Sequence, residues 1–406
     1  MSVGLVSQVG SLPSTQRFLR SVEQDLRSGR SVWVLFPQGS ESLRLWDLLL
    51  HVLEGAGGMV VAPVDLGNVG SESPVDVLRS AVEAWEEIGA VRFLEDLTLC
   101  HQAPEILLLK SLEEIPPPQR NEWLLAVERW AVASLRHSPE RRRKLCVVAA
   151  ADSLFNNGLP KSDVALSVRM WWGVPSALEI HLACRLVSQE ETPLSLWREH
   201  LIPSLAGNDL TLGEYLWDVV TDPPEAILEK LVQYGAERGW KKQNAKEVCE
   251  RWKPMPPGKR MDLSEQMLPF WAQGWIVYTP EYGGEIHSAL LALLGNEPEI
   301  VHRLWRAQAA LLLPAVDSAR LRVCEQLTQF YGETWTCWGN GWEQSLYPEL
   351  GAIENAIRKG PIRESEKHRW LKVVHPIRDV RNKVAHYQPI LFNEFVEFWE
   401  RTAPFL

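Results

Sequence analysis

Apolar positions in the first 160 residues switch between helical spacing and short unbroken runs. Phe18, Leu19, Val22 and Leu26 recur at helical intervals and predict a helix over about Ser14 to Arg30. SVWVLFPQGSES (Ser31 to Ser42) then reads as a buried strand and a glycine-containing turn, followed by the helical LRLWDLLLHVLE. Further strands are expected at Met59 to Leu66, Pro104 to Lys110 and Lys144 to Ala150. Near-continuous aliphatic strands alternating with helices predict an α/β fold, a parallel sheet covered on both faces.

Beyond this part the pattern becomes mostly helical. Leu194 to Val220 gives short helices broken by Pro203 and Gly207, with Asn208 or Asp209 placed to cap the next one. Residues 221–283 alternate turn-rich segments (DPPE, KPMPPGKR, TPEYGG) with a helix near Ala226 to Trp240 and the strand-like WIVY, compatible with a winged helix. From Glu285 the spacing is helical throughout, and Pro314 with Asp317 is expected to separate two helices. TWTCWGNGW (Thr334 to Trp342) reads as a turn that plugs the end of a bundle. The expected division is therefore 1–160 α/β, 161–284 a helical lid or winged-helix-like region, and 285–406 a helical bundle.

Composition narrows the classes. A net charge of -10 argues against a surface built overall for nucleic acid, although a local basic site stays compatible with it. The six cysteines show no C-x-x-C and no Cys/His spacing for zinc, and read as free thiols. No signal peptide and no membrane span are expected, which points to a cytoplasmic protein. His181, His200, His287 and His302 lack partners at metal-ligand spacing and are expected to be structural. Nineteen tryptophans suit helix packing or a protein interface.

Two stretches carry candidate chemistry. The strand, glycine turn and helix around Gly39 have the outline of a phosphate-binding loop, G-x-x-x-x-G-K-[ST], without its residues. Gly39 is the only glycine of the turn, no lysine follows, and Glu41 places a negative charge between Ser40 and Ser42 where phosphate would sit. At the end of the PEILLLK strand, Lys110 and Ser111 stand where a Walker-B pair would hold magnesium. The order and spacing of these parts resemble a STAND or AAA-like P-loop NTPase module that has lost its catalytic residues. The resemblance implies a platform for partners, with no nucleotide cofactor. A doubly wound α/β domain without nucleotide history is the alternative.

The second stretch is HPIRDVRNKVAHY, His375 to Tyr387. Asn382 and His386 are four apart on one helix face, with Arg381 one position to the side and Ile377, Val380 and Val384 forming an apolar face. The pattern R-N-x-x-x-H resembles the signature of HEPN domains, helical bundles many of which are metal-independent ribonucleases. The preceding YPELG with Glu354 resembles the opening of the partner helix in such domains. The likeness covers roughly the last 110 residues.

That resemblance implies that Arg381 stabilises the phosphate, Asn382 positions it and His386 moves the proton, with Arg378 adding a phosphate contact. These residue types suit the chemistry. Imidazole titrates near neutrality, and guanidinium is a fixed planar cation. It further implies RNA as substrate, no metal, a homodimer through the bundle and partners within a prokaryotic conflict (antiphage) system. The alternative is a non-enzymatic adaptor whose bundle only dimerises, with Asn382 and His386 bracing the helices.

Overall fold

The computed structural model describes residues 4–40, 44–55, 57–85, 87, 93–100, 104–157, 159–172, 176–252, 267–279, 281–338 and 347–403. Glu41 and Ser42 of the phosphate-loop outline, and the whole of KPMPPGKR, lie outside these residues. The chain forms two compact units. Unit one comprises Met1–Glu179, Asn208–Glu214 and Lys246–His287, and unit two comprises Ile180–Gly207, Tyr215–Ala245 and Ser288–Leu406. Residues 161–284 are thus shared between the two.

Unit one holds a parallel sheet of β1 (Ser31–Phe36), β2 (Val61–Asp65), β3 (Ile106–Lys110), β4 (Lys144–Ala150) and β5 (Leu166–Met170), in the order β2-β3-β4-β1-β5. Every residue of SVWVLF and KLCVVAA is buried, as expected for strands with both faces covered. The two edges differ from this interior. β2 carries Pro63, which cannot donate to a ladder and so suits an edge, and β5 is buried only over its first two residues. β5 was not expected from sequence, because LSVRM has two polar residues among five.

Helices α1 (Pro13–Arg27), α2 (Leu45–Glu54), α3 (Pro74–Glu83) and α4 (Pro117–Ser134) accompany the sheet. Arg143, 1% exposed, lies just before β4. Its guanidinium donates to the carbonyls of Pro104 and Leu97 at 2.9 Å and of Leu99 at 3.1 Å. Its own carbonyl accepts from the buried Trp130 indole at 2.8 Å. The basic run Arg141 to Lys144 is therefore in part a device for satisfying backbone at the start of the sheet.

The next helices in chain order are α5 (Ala177–Ser188), α6 (Pro193–Ala206), α7 (Leu210–Leu216), α8 (Pro224–Glu237), α9 (Lys242–Arg251) and α10 (Leu268–Ala272). Asp209 does cap α7, accepting from the backbone N–H of Thr211 and Leu212. WIVY becomes β6 (Ile276–Thr279), paired antiparallel with β7 (Gly283–Ile286). His287, 1% exposed, shares a hydrogen bond with Asp209 at 3.2 Å, a structural role for that histidine.

Unit two is helical. It packs α11 (Ser288–Leu294), α12 (Glu297–Tyr331), α13 (Leu350–Lys359), α14 (Glu364–Ala385) and α15 (Phe392–Thr402) together with α6 and α8. Two expectations fail here, and the first is that Pro203 would break a helix, since it lies inside α6. Pro314 and Asp317 do not separate two helices; α12 runs through both for 35 residues. Leu304, Ala307, Leu311 and Leu312 before the proline, and Val316, Ala319, Val323 and Leu327 after it, are all buried. Burial of that continuous stripe outweighs the roughly 3 kcal/mol that an interior proline costs. Trp335 of the tryptophan-rich turn is fully buried and donates to Thr328 Oγ1 at 2.8 Å, and Trp338 lies so close to Gly360 that any side chain there would collide with its ring.

No described helix is long and apolar enough to cross a membrane. Replacing Arg143 by Met should lower the unfolding free energy by at least about 3 kcal/mol, because two buried carbonyls and a part-buried third lose a charged donor. Urea unfolding checks this, and a loss below about 1 kcal/mol would contradict the assignment.

Candidate functional site

The open sheet of unit one has one place where its connections diverge. β1 leads past β4 and β3 to β2, whereas β4 leads past β1 to β5. Ligands of open α/β sheets bind at such a switch point, outside the carboxyl ends of the strands. Here the chain uses that ground for itself. The Gln38 N–H donates to the Ala272 carbonyl of α10 at 2.7 Å, and the Ser40 N–H donates to Pro37 at 3.2 Å, with Gly39 between them at φ +87°. At the end of β3, Lys110 pairs with Asp65 at 2.9 Å and lies over the Trp46 ring at 4.7 Å. A cation so engaged cannot replace the acid that would hold magnesium there.

Unit two brings the HPIRDVRNKVAHY residues onto α14. Five buried residues, Trp370, Val374, Ile377, Val380 and Val384, form the stripe that faces the bundle interior. Glu364 and Glu366 in the first turn and Lys383 in the last complement the helix dipole. Two other faces remain, and the candidate residues divide between them.

The face toward α13 is organised by Glu354, 6% exposed. Its carboxylate accepts from Arg358 Nε at 2.8 Å and meets His375 Nε2 at 3.1 Å and the Arg378 guanidinium. Burial pushes the Glu354 carboxyl up, but the hydrogen bond from Arg358, the charge of Arg378 and the bond with His375 more than offset it, so it titrates below the ordinary carboxylate range. Arg378 is thus committed to Glu354. Arg381, further along, approaches Glu349 Oε2 at 3.9 Å and the Asn382 amide oxygen at 3.5 Å.

The other face borders a groove of about 790 Å³ between α14 and α15. His368, Lys372, His375, Asp379, Asn382 and His386 enter it at intervals of three or four residues, as one helical face must. From α15 come Glu394, which takes an ion pair from Lys383, and Glu397, paired with Arg401 at 2.7 Å. Among the described residues Lys372 makes no ion pair and the His386 side chain no hydrogen bond. Asn382 and His386 therefore share the groove, and Arg381 touches that pair from the side through Asn382.

Compared with the models of known protein families and with curated proteins, the chain matches none. The site therefore rests on its own geometry. Three parts of it were missed by sequence reasoning: the groove positions His368 and Lys372, the binding of Arg378 by Glu354, and the contribution of α15. Helical spacing forward from His368 would have found the first. The other two are tertiary and leave no local signal.

The end of α14 is held with unusual care. Trp305 of α12 donates its indole N–H to the Val384 carbonyl at 2.7 Å. The buried Gln308 side chain binds the backbone of Ile390 twice, at 2.8 and 2.9 Å. His386 ends the helix, and the Tyr387 and Gln388 N–H groups return to the carbonyls of Val384 and Lys383. This is the Schellman closure, whose left-handed position is usually glycine. Tyr387 occupies it at φ +59°, at a cost of about 1–2 kcal/mol.

Glu354→Ala should destabilise the protein by about 2 kcal/mol, less than a fully buried ion pair because Arg358 and Arg378 reach solvent. With its pKa depressed on folding, the Glu354 contribution is complete above the unfolded carboxylate value of about 4.3 and is lost as pH falls through the folded one. Denaturant titrations of wild type and E354Q should accordingly differ most above about pH 5 and converge in acid. A gap that widens on acidification would contradict this sign.

Proposed function

We propose that the α14 groove is the site of a metal-independent endoribonuclease of the HEPN kind, in an effector of a prokaryotic conflict (antiphage) system. One observation carries the proposal. Asn382 and His386 line one groove, the imidazole is exposed, and Arg381 reaches the same amide. In this scheme His386 moves the proton at the 2′-hydroxyl or the leaving 5′-oxygen, Asn382 orients the phosphate, and Arg381 offsets its growing charge. Cleavage forms a 2′,3′-cyclic phosphate as the 2′-oxygen bonds to phosphorus and the 5′-oxygen departs with a proton. Two protomers pairing through the bundle would bring two such faces together into one composite site, with RNA, tRNA or mRNA, as substrate. Unit one serves as a platform for protein partners of the same system, without hydrolysis. The engagement of Gln38 and Lys110 within unit one supports that role.

A second proposal, a non-enzymatic adaptor whose bundle only dimerises, draws support from a different fact. Glu354 already holds Arg378, and Glu349 lies beside Arg381, so the arginines near the motif have carboxylate neighbours without any phosphate.

Incubation of the purified protein with total RNA and with tRNA separates the two. His386→Ala should slow cleavage by a factor of about 100 to 10,000, Arg381→Ala should slow it by about 100 or more, and excess EDTA should leave the wild-type rate unchanged. Equal cleavage by wild type and H386A would remove the catalytic assignment. Normal biological function of an R381A/H386A double variant would favour the adaptor.

A further inference from the structure

Next to His386 stands a row of aromatic rings that the cleavage scheme leaves unused. Tyr387 is 67% exposed, and its ring centroid lies 4.5 Å from that of Trp305. Trp305 in turn stacks with the exposed His302, one turn earlier on α12, at 5.5 Å and an interplanar angle of 27°. The row is rigid at its centre, because the Trp305 indole is tied to the Val384 carbonyl and cannot swing away. Tyr387 is rigid at its backbone, fixed by the helix closure.

Tyr387 is only partly engaged by this packing. A residue that is two-thirds exposed adds little core burial, and glycine would close the helix without left-handed strain. An aromatic ring held in a strained, exposed position, one residue from the proposed proton-transfer group, points from an observed outlier to a role. With one side leaning on Trp305, Tyr387 presents its other side to solvent. Planar ligands stack on such surfaces with little regard to which base they carry. The adjoining groove supplies Lys372, which has no ion pair among the described residues, for a phosphate chain.

We propose that His302, Trp305 and Tyr387 form a stacking platform for unpaired bases, so that the substrate of the α14 site is single-stranded RNA. This rests on the ribonuclease function proposed above and narrows its substrate. In a duplex the bases are stacked and paired inside the helix, and only an unpaired base can be splayed onto a protein ring.

Binding tests the platform apart from cleavage. The probe is a fluorescently labelled, unstructured 2′-O-methyl RNA, which lacks the 2′-hydroxyl nucleophile, used alone and annealed to its complement. Anisotropy should show the full-length wild type binding the single strand more tightly than the duplex. Tyr387→Gly removes the ring and relieves the left-handed strain, so the fold should persist by circular dichroism. It should weaken single-strand binding by about 5- to 150-fold, the usual range for one stacked base, and leave duplex binding unchanged. Tyr387→Phe should bind as wild type. Undiminished single-strand binding by Y387G would overturn the platform while leaving the ribonuclease proposal standing, and so would a loss of dimer mass in Y387G, which marks a protein interface. Absence of binding to either form of RNA by the wild type would overturn both.

Discussion

The Glu354 carboxylate determines how the C-terminal bundle can be used. It is nearly buried on α13, and α14 brings His375 and Arg378 to it while Arg358 closes from its own helix. A lone carboxylate at that depth would cost several kcal/mol of lost hydration. Surrounded by charge-assisted donors, it instead fixes the rotation of α14 about its axis. That rotation decides everything that follows on the helix. With Arg378 toward α13 and the Trp370-to-Val384 stripe toward the interior, His368, Lys372, Asn382 and His386 have only the groove left to face.

A rotation fixed at one end would still allow the last turn to fray. Helix ends have four unsatisfied carbonyls and few constraints. Here α12 supplies the missing constraint through Trp305 at Val384 and Gln308 at Ile390, on either side of His386. The length of α12 matters for this reason. A helix broken at Pro314 would have ended one turn beyond these anchors. The continuous helix joins their packing to that of Val316, Ala319 and Val323.

How much of this could be read in the chain follows from the range of each interaction. The α/β sheet was legible because strands buried on both faces must be almost wholly apolar, and β1, β3 and β4 are, apart from the terminal Ser31, Lys110 and Lys144. The helix under the motif was legible because Ile377, Val380 and Val384 repeat at its period. Pro314 misled because proline weighs on local conformation, whereas the stripe that overrides it is spread over 24 residues. Arg378 was expected to face phosphate, since sequence shows its charge and its spacing from Arg381 but not the carboxylate 24 residues away that takes it. The groove lies between two helices, and periodicity describes only one at a time.

The two units treat charge in opposite ways, and the contrast bears on where chemistry can occur. Beside the switch point of unit one, the cation of β3 is neutralised by Asp65 and covered by Trp46, and the backbone donor after β1 is spent on Ala272. A phosphate arriving there would have to displace contacts that already satisfy the groups it needs, and it would gain only the difference. In the α14 groove the strong ion pairs sit at the margins, between Lys383 and Glu394 and between Arg401 and Glu397. Among the described residues, the groove cations and imidazoles without such partners are His368, Lys372 and the exposed His386. His386 ends the helix through its backbone, and its imidazole makes no hydrogen bond among the described residues. Beside it, Tyr387 holds a left-handed backbone that glycine would adopt without strain, at a cost of about 1–2 kcal/mol.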